Sequence, residues 1–434
     1  MFTSVERCEV PRLGPCTVTS PLVSEMGVYG RSFTPESAFV FDPVRVNPDD
    51  PAPVRLFERA GPREKLFFRP DEVMPGVVTC GGLCPGLNNV LRSIAMQLWH
   101  RYGVKRLIGF RFGYAGLNPQ LGYDPVELDP HRLADVDRFG GTMLGSSRGP
   151  QPPEVVVDFL LRLGVNMLFT VGGDGTQRGA LSIYEEATRR GAKLAVVGIP
   201  KTIDNDVSFC ARSFGFGSAS EQAAFNLVAA HEEARSADRG VGIVKLMGRD
   251  AGFITAAATL ASGVVNLALV PEVPFSLDGP RGVLRYLKRR LDERRHAVIA
   301  VAEGAGQNLF TQGPAGTDKS GNKRYSDIGV FLRDRIVEHF EQRGEPVQAK
   351  YIDPSYGIRG IPANAQDAVL SDQYARHAVH AAMTGRTGMY VGYLHDEFIH
   401  VPTRLGSSVK KRIDPTGGLW TSVLGTTGQP VSMV

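Results

Sequence analysis

Two apolar runs, Val165-Asn166-Met167-Leu168-Phe169-Thr170-Val171 and Leu194-Ala195-Val196-Val197-Gly198-Ile199, each end in a polar cluster, and this repetition narrows the folds open to the chain. Such runs, without regular polar alternation, read as strands buried on both faces, as in a parallel sheet. The first is followed by Gly172-Gly173-Asp174-Gly175-Thr176 and the second by Pro200-Lys201-Thr202-Ile203-Asp204-Asn205-Asp206. Open α/β sheets place their ligands beyond the carboxyl ends of the strands, so both clusters are expected on one rim. The glycines present no bulk to an approaching phosphate. The heptapeptide gathers two carboxylates, a hydroxyl and an ammonium.

The same alternation continues elsewhere. Residues 76–80, 104–110, 241–246, 266–270 and 297–302 read as strands, and 87–99, 155–163, 178–190, 218–235, 251–262, 328–343 and 364–384 as helices. Repeated βα units predict an α/β fold of two Rossmann-like domains, with mainly parallel sheets and helices on both faces. A chain of 434 residues exceeds one ordinary core, and 42% apolar content can fill two. Residues 1–73 are rich in proline and charge, most of all across 42–63, and are expected to form an irregular extension that wraps a partner or the main body, or is partly mobile. Residues 309–322 read as a polar loop.

Bulk properties exclude several classes. The formal net charge is +4 with dispersed basic residues, which argues against a nucleic-acid partner. Five cysteines, an odd and sparse set, make no disulfide framework, and Cys80 and Cys84 read as buried thiols. No apolar stretch reaches membrane-spanning length, and the N-terminus lacks a basic region followed by a hydrophobic core. A cytoplasmic protein without a membrane partner is expected.

Phosphate chemistry is the recurring theme. Gly81-Gly82 closes a strand shortly before a helix, so backbone amides and the helix terminus would face the strand end. Gly172–Thr176 repeats that geometry, with Gly179 one helical turn later. Asp174 suits magnesium, held partly through water, or else caps the helix. Thr202, Asp204 and Asp206 are candidates for acceptor binding and proton removal, and strict extended alternation would place all three on one side. The other reading is an Asx-rich turn whose carboxylates cap amides; the neighbouring Asp174 favours catalysis. Met247-Gly248-Arg249 follows another strand and opens another helix, with Arg249 set to fork onto a phosphate, or else to pair with Asp250 or cap the helix. Glu303 ends the strand at 297–302 and can accept from sugar hydroxyls. Lys350 and Arg359 bracket a segment readable as a surface strand and turn.

With these elements in order, together with Leu144-Gly145-Ser146-Ser147-Arg148 and Pro271-Glu272-Val273-Pro274-Phe275, the chain resembles the 6-phosphofructokinase family over residues 75–393. The resemblance implies phosphoryl transfer from magnesium-bound ATP to the C1 hydroxyl of fructose 6-phosphate. Asp204 would be the general base, with Thr202 and Asp206 on the acceptor, Lys201 neutralising the moving phosphoryl group and Asp174 positioning Mg2+. Gly82, Tyr114, Arg148, Gly173, Gly175, Thr176 and Gly179 fall at nucleotide positions. Met247, Gly248, Arg249, Glu303, Tyr356 and Arg359 fall at sugar-phosphate positions. Tyr356 and Lys350 replace the histidine and arginine of many relatives. Lys350, and with a one-residue slip Arg239, match the cation that a neighbouring subunit supplies, which implies an oligomer, most simply a homotetramer. The implied domains are an extension over 1–73, a nucleotide-binding domain over 74–216 and 358–407, and a sugar-phosphate domain over 217–357 and 408–434.

The donor positions are mixed. Diphosphate-using relatives carry an aspartate at position 175 and a lysine at 201; many bacterial ATP-using ones carry glycine at both. This chain has Gly175 and Lys201, most like the ATP-using group of plants and trypanosomatids. ATP is the expected donor and diphosphate the alternative. NAD kinases and diacylglycerol kinases share a Gly-Gly-Asp-Gly-Thr-like element but lack the rest of the ordered set. A regulatory subunit without turnover could have lost its acidic residues, whereas Asp174, Asp204 and Asp206 all remain.

Overall fold

The computed structural model describes residues 4–42, 54–310, 316, 324–408 and 410–434. The chain divides into two compact units. The first comprises Met1–Thr202, Val207–Phe214 and Pro362–Lys410, and the second Ile203–Asp206, Gly215–Ile361 and Lys411–Val434.

A seven-stranded sheet organises the first unit, in the order Glu397–Pro402, Met389–Leu394, Ala195–Pro200, Met167–Gly172, Pro75–Thr79, Ile108–Phe110, Val126–Glu127. The five inner strands are parallel, and each outer strand runs antiparallel to its neighbour. Val78, Phe110, Leu168 and Val196 from the strands meet Val156, Val157 and Leu160 of the helix Pro153–Arg162 and Ala180, Ile183 and Ala187 of the helix Asp174–Arg189 in one core. The second unit is built on four parallel strands in the order Leu267–Leu269, His296–Ala302, Gly240–Leu246, Gln348–Ile352. Helices Val283–Arg294 and Ile328–Glu341 close its core through Val283, Leu284, Leu287, Leu291, Leu332 and Ile336. The architecture is thus α/β with mainly parallel sheets, as the alternation of apolar runs predicts.

Boundaries shift where local chemistry competes with periodicity. The helix expected over 87–99 is α-helical only for Leu87–Met96, then widens to a π turn, Gln97–Tyr102. The amide of Val104 bonds back to the Leu98 carbonyl at 3.0 Å, so the next strand is Ile108–Phe110 rather than 104–110. The polar loop expected over 309–322 lies largely outside the described residues.

The N-terminal segment is more ordered than its composition predicts. Val5–Cys8 pairs in parallel with Val54–Glu58, which pairs antiparallel with Phe39–Asp42, and this three-stranded sheet belongs to the first unit. The expected irregularity across 42–63 fails at Val54–Glu58, while residues 43–53 lie outside the description.

A buried ion network ties the segment down. Glu58 accepts from Arg12 at 2.7 Å, from Arg386 at 2.7 Å and from His400 Nδ1 at 3.2 Å. Glu36 accepts from Arg12 and Arg386 at 2.8 Å and from Arg63 at 3.0 Å. Arg386 is fully buried and Glu58 is 6% exposed, so neither charge is compensated by water. Burial works against the Glu58 carboxylate, but the His400 hydrogen bond and the Arg386 charge outweigh it and hold its pKa well below the usual range. Burial pushes the His400 imidazole down to about 4, so it is neutral at pH 7 and can donate through Nδ1.

Both shifts work against the fold in acid. The unfolded chain takes up the His400 proton near 6.5 while the folded chain resists until about 4, so stability falls across that window. Glu58 extends the loss below 4.5, its unshifted value. Glu58→Gln should cost roughly 1.5–3 kcal/mol at pH 7, because it removes the buried carboxylate of the network and leaves the fully buried Arg386 with the solvent-facing Glu36 as its charged partner. Urea unfolding of the two proteins from pH 4 to 8 checks this, and an unchanged midpoint at pH 7 would refute it.

Candidate active site

Three neighbouring strands of the first unit end in the glycine-rich and cationic segments. Met167–Gly172 leads through Gly173 into the helix Asp174–Arg189. Gly173 is the N-cap, and its carbonyl accepts from the amides of Thr176 at 2.8 Å and Gln177 at 3.0 Å. Asp174 is therefore the first helical residue and not the cap, which corrects that reading of it. The sequence predicts a later start, at 178, because glycine is a poor helix former. Here Gly175 stands exposed in the first turn of the helix.

On one side, Pro200 lies in register with Gly172, and the Lys201 amide donates to the Gly172 carbonyl at 3.1 Å. On the other, Pro75–Thr79 runs on to Gly81-Gly82. The Gly81 amide donates to the Ser147 carbonyl at 3.0 Å, and the Ser146 hydroxyl to the Gly81 carbonyl at 2.6 Å. Lys201 is 5% exposed and its ammonium donates to the Gly82 carbonyl at 2.6 Å. One buried cation thus bridges two strand ends. Sequence reasoning assigned Lys201 a charge and overlooked this tie, as it overlooked the Ser146-Ser147 support.

Tyr114 and Gly179 belong together for a structural reason. The buried Tyr114 hydroxyl donates to the Thr176 carbonyl at 2.6 Å, and a Cβ on Gly179 would collide with the Tyr114 ring. Tyr114 thus supports the first turn of the helix from below. Gly175 is exposed, and a Cβ there would meet only the Arg178 guanidinium, at 3.8 Å. Arg148 is exposed and Thr176 is buried.

The second unit collects the other candidates. Ile203–Asp206 is not extended throughout: Asn205 has φ 54°, a left-handed conformation, so the strict alternation expected for positions 202, 204 and 206 does not hold. The Asp206 carbonyl accepts from the Lys411 amide at 3.3 Å. Met247-Gly248-Arg249 follows the strand Gly240–Leu246. Gly248 has φ 142° and its carbonyl accepts from the Ala251 amide at 2.8 Å, a turn that L side chains rarely adopt. Arg249 follows at φ 49°.

That strained turn is fixed from the adjacent strand, His296–Ala302. Leu246 lies in register with Ala302, the Glu303 amide donates to the Leu246 carbonyl at 2.9 Å, and Glu303 Oε1 accepts from the Arg249 amide at 3.0 Å. A Cβ on Gly304 would strike the Arg249 carbonyl oxygen. Glu303 therefore spends one oxygen on the turn. Asp250, the alternative partner for Arg249, accepts from the Tyr325 hydroxyl. The helix expected from 251 begins at Phe253, because Ala251 and Gly252 complete the turn.

Gln348–Ile352 is an edge strand; Lys350 lies opposite Gly242 and is exposed. Tyr356 is 79% exposed, with the Arg359 guanidinium 5.0 Å from its ring centroid. Arg239 does not fit a cross-subunit role. It is 8% exposed and donates to Asp292 and Glu345 of its own unit, each at 3.1 Å.

Cys80 and Cys84 are buried, and burial pushes the Cys80 thiol up to about 12. Among the described residues there is no cluster of three or more His, Cys, Asp or Glu side chains that could hold a metal unaided. No helix of the described residues is long and apolar enough to cross a membrane.

Comparison with known proteins extends the resemblance to nearly the whole chain. The ATP-dependent 6-phosphofructokinase of Borreliella burgdorferi is 46% identical over 434 residues, covering 98% of this chain and 97% of the relative. That of Trypanosoma brucei brucei is 49% identical over 385 residues, covering 88% of this chain and 78% of the relative. Among solved structures, the pyrophosphate-dependent phosphofructokinase from Marinobacter aquaeolei matches with a TM-score of 0.66 at 19% identity, covering 83% of this chain and 92% of that one, which bears on the fold alone. Residues 75–382 match the phosphofructokinase family, and the chain belongs to it.

Proposed function

We propose that this protein is an ATP-dependent 6-phosphofructokinase, which transfers the γ-phosphoryl group of ATP to the C1 hydroxyl of fructose 6-phosphate and yields fructose 1,6-bisphosphate, a glycolytic step. The observation that carries the reading is 46% identity to an enzyme of that name across 98% of this chain. The presence of Asp174, Asp204 and Asp206 favours turnover over a regulatory subunit. Formation of fructose 1,6-bisphosphate by the purified protein, followed with a coupled aldolase assay, tests it.

The roles follow from the chemistry of each group. Asp204 removes the proton from the C1 hydroxyl, and Thr202 and Asp206 hold the acceptor. Lys201, buried and fixed by the Gly82 carbonyl, offsets charge on the phosphoryl group. Gly82, Gly173, Gly175 and Thr176 leave backbone and space for the nucleotide, Arg148 takes its phosphates, and Tyr114 with Gly179 keeps the helix terminus in place. Arg249 forks onto the sugar phosphate, Met247 and Gly248 shape its approach, and the remaining Glu303 oxygen takes a sugar hydroxyl.

A magnesium ion fits this donor set. Asp174 is the acidic residue of the first helical turn, and magnesium typically takes one or two carboxylates plus water and substrate phosphates. When bound, the ion neutralises phosphate charge. The first unit is assigned the nucleotide and the second the sugar phosphate. A cytoplasmic location is part of the same reading.

Lys350 is proposed to reach the sugar phosphate of a neighbouring subunit in a homotetramer, which suits its exposure on an edge strand. Lys350→Ala should raise the KM for fructose 6-phosphate by about 10- to 100-fold, from the roughly 1.5–3 kcal/mol of one charge-assisted contact, with kcat nearly unchanged. Steady-state kinetics checks the split, and sedimentation at assay concentration checks the assembly. A fully active monomer would contradict the shared site.

A further inference from the structure

Lys245 sits near the end of the strand Gly240–Leu246, two residues before Met247, and its side chain is only 13% exposed. Its ammonium contacts two carboxylates from distant segments, Asp327 Oδ2 at 2.7 Å and Asp353 Oδ2 at 2.9 Å. Burial works against the ammonium, but the hydrogen bonds to Asp327 and Asp353 outweigh it and raise its pKa well above the ordinary value. Lys245 is therefore charged throughout the physiological range.

Each carboxylate organises its own segment. Asp327 caps the helix Ile328–Glu341, accepting from the amides of Gly329 at 3.0 Å and Val330 at 3.1 Å, and also accepts from the Tyr351 hydroxyl at 3.0 Å. A Cβ on Gly329 would collide with the Tyr351 ring, so the helix start and the edge strand are closely seated. Asp353 Oδ1 accepts from the Ser355 amide at 3.1 Å and from the Ser355 hydroxyl, which opens the turn bearing Tyr356 and Arg359. The turn closes with the Ile358 amide on the Pro354 carbonyl at 3.1 Å. One cation thus joins the strand leading to Arg249, a helix N-terminus and the turn at 353–359.

We propose that Lys245 is a positioning residue for the sugar phosphate: through Asp353 it pins the turn carrying Tyr356 and Arg359 to the strand that ends in Met247-Gly248-Arg249. The inference rests on the sugar-phosphate reading of those residues. Lys245 touches no substrate; it sets the spacing of the groups that do.

The test combines kinetics with amide hydrogen exchange on the full-length protein. Lys245→Met should raise the KM for fructose 6-phosphate about tenfold or more, with kcat and the KM for ATP within about twofold of wild type. Lys245→Arg, which keeps the charge, should recover most of that loss. Asp353→Asn keeps the Lys245–Asp327 pair and should reproduce the Lys245→Met effect, so it decides the matter if Lys245→Met folds poorly. Amides of residues 355–360 should exchange faster in both charge-removing variants. Unchanged exchange there overturns the pin whatever the enzyme's substrate, so it separates this inference from the activity assignment. Faster exchange with an unchanged KM for fructose 6-phosphate overturns the positioning role, as does an equal loss in kcat and both KM values.

Discussion

Asp204→Asn is expected to lower kcat by about 10²–10⁴, roughly 3–5 kcal/mol of barrier, with little change in either KM. Asparagine is nearly isosteric, so the turn set by Asn205 at φ 54° can persist while the proton acceptor is lost. A group that acts mainly in the transition state shows in kcat and not in ground-state binding. Circular dichroism and the urea midpoint should match wild type. Wild-type-like kcat in the asparagine or serine variant would end the assignment of Asp204 as base.

Gly175→Asp is expected to lower kcat/KM for ATP by about 10² or more and to leave diphosphate use at or above the wild-type level. Space for the new side chain on the protein's own account is ample: Gly175 is exposed, and its nearest neighbour would be Arg178 at 3.8 Å. An acidic side chain in the first helical turn also meets the favourable end of the helix dipole. The fold should therefore be unharmed, and the loss is assigned to bulk and charge against the α-phosphate. An unpaired like charge in a shielded site costs several kcal/mol. In the proposed role Lys201 would serve either donor, which is why the change is expected to fall on ATP alone. Equal losses for both donors, or a lowered urea midpoint, would contradict this account.

Much of the architecture was legible because buried parallel strands leave a strong signature. Val165–Val171 and Leu194–Ile199 could hardly be anything else, and their polar ends lie on neighbouring strands. Glycine-led helix starts were less legible. Asp174-Gly175-Thr176 has poor helix propensity, yet the Gly173 carbonyl and the Tyr114 hydroxyl complete that turn. The same tertiary override explains the sheet in the N-terminal segment, whose ion network depends on Arg386 and His400, far away in sequence. Arg239 illustrates the converse: a cation at almost the right position was committed to Asp292 and Glu345, partners that no spacing rule reveals. The helix Val283–Arg294 was less legible although Val283, Leu284, Leu287 and Leu291 keep helical spacing, because five arginines and lysines make the segment read as solvated surface. Lys245 carried no motif at all. Its meaning came only from the convergence of Asp327 and Asp353.

The most direct test of the account is kcat/KM of the wild-type protein with fructose 6-phosphate and magnesium, measured with ATP and with diphosphate as donor. The account predicts efficient turnover with ATP and little with diphosphate. A strong preference for diphosphate, or no turnover with either donor, would contradict it.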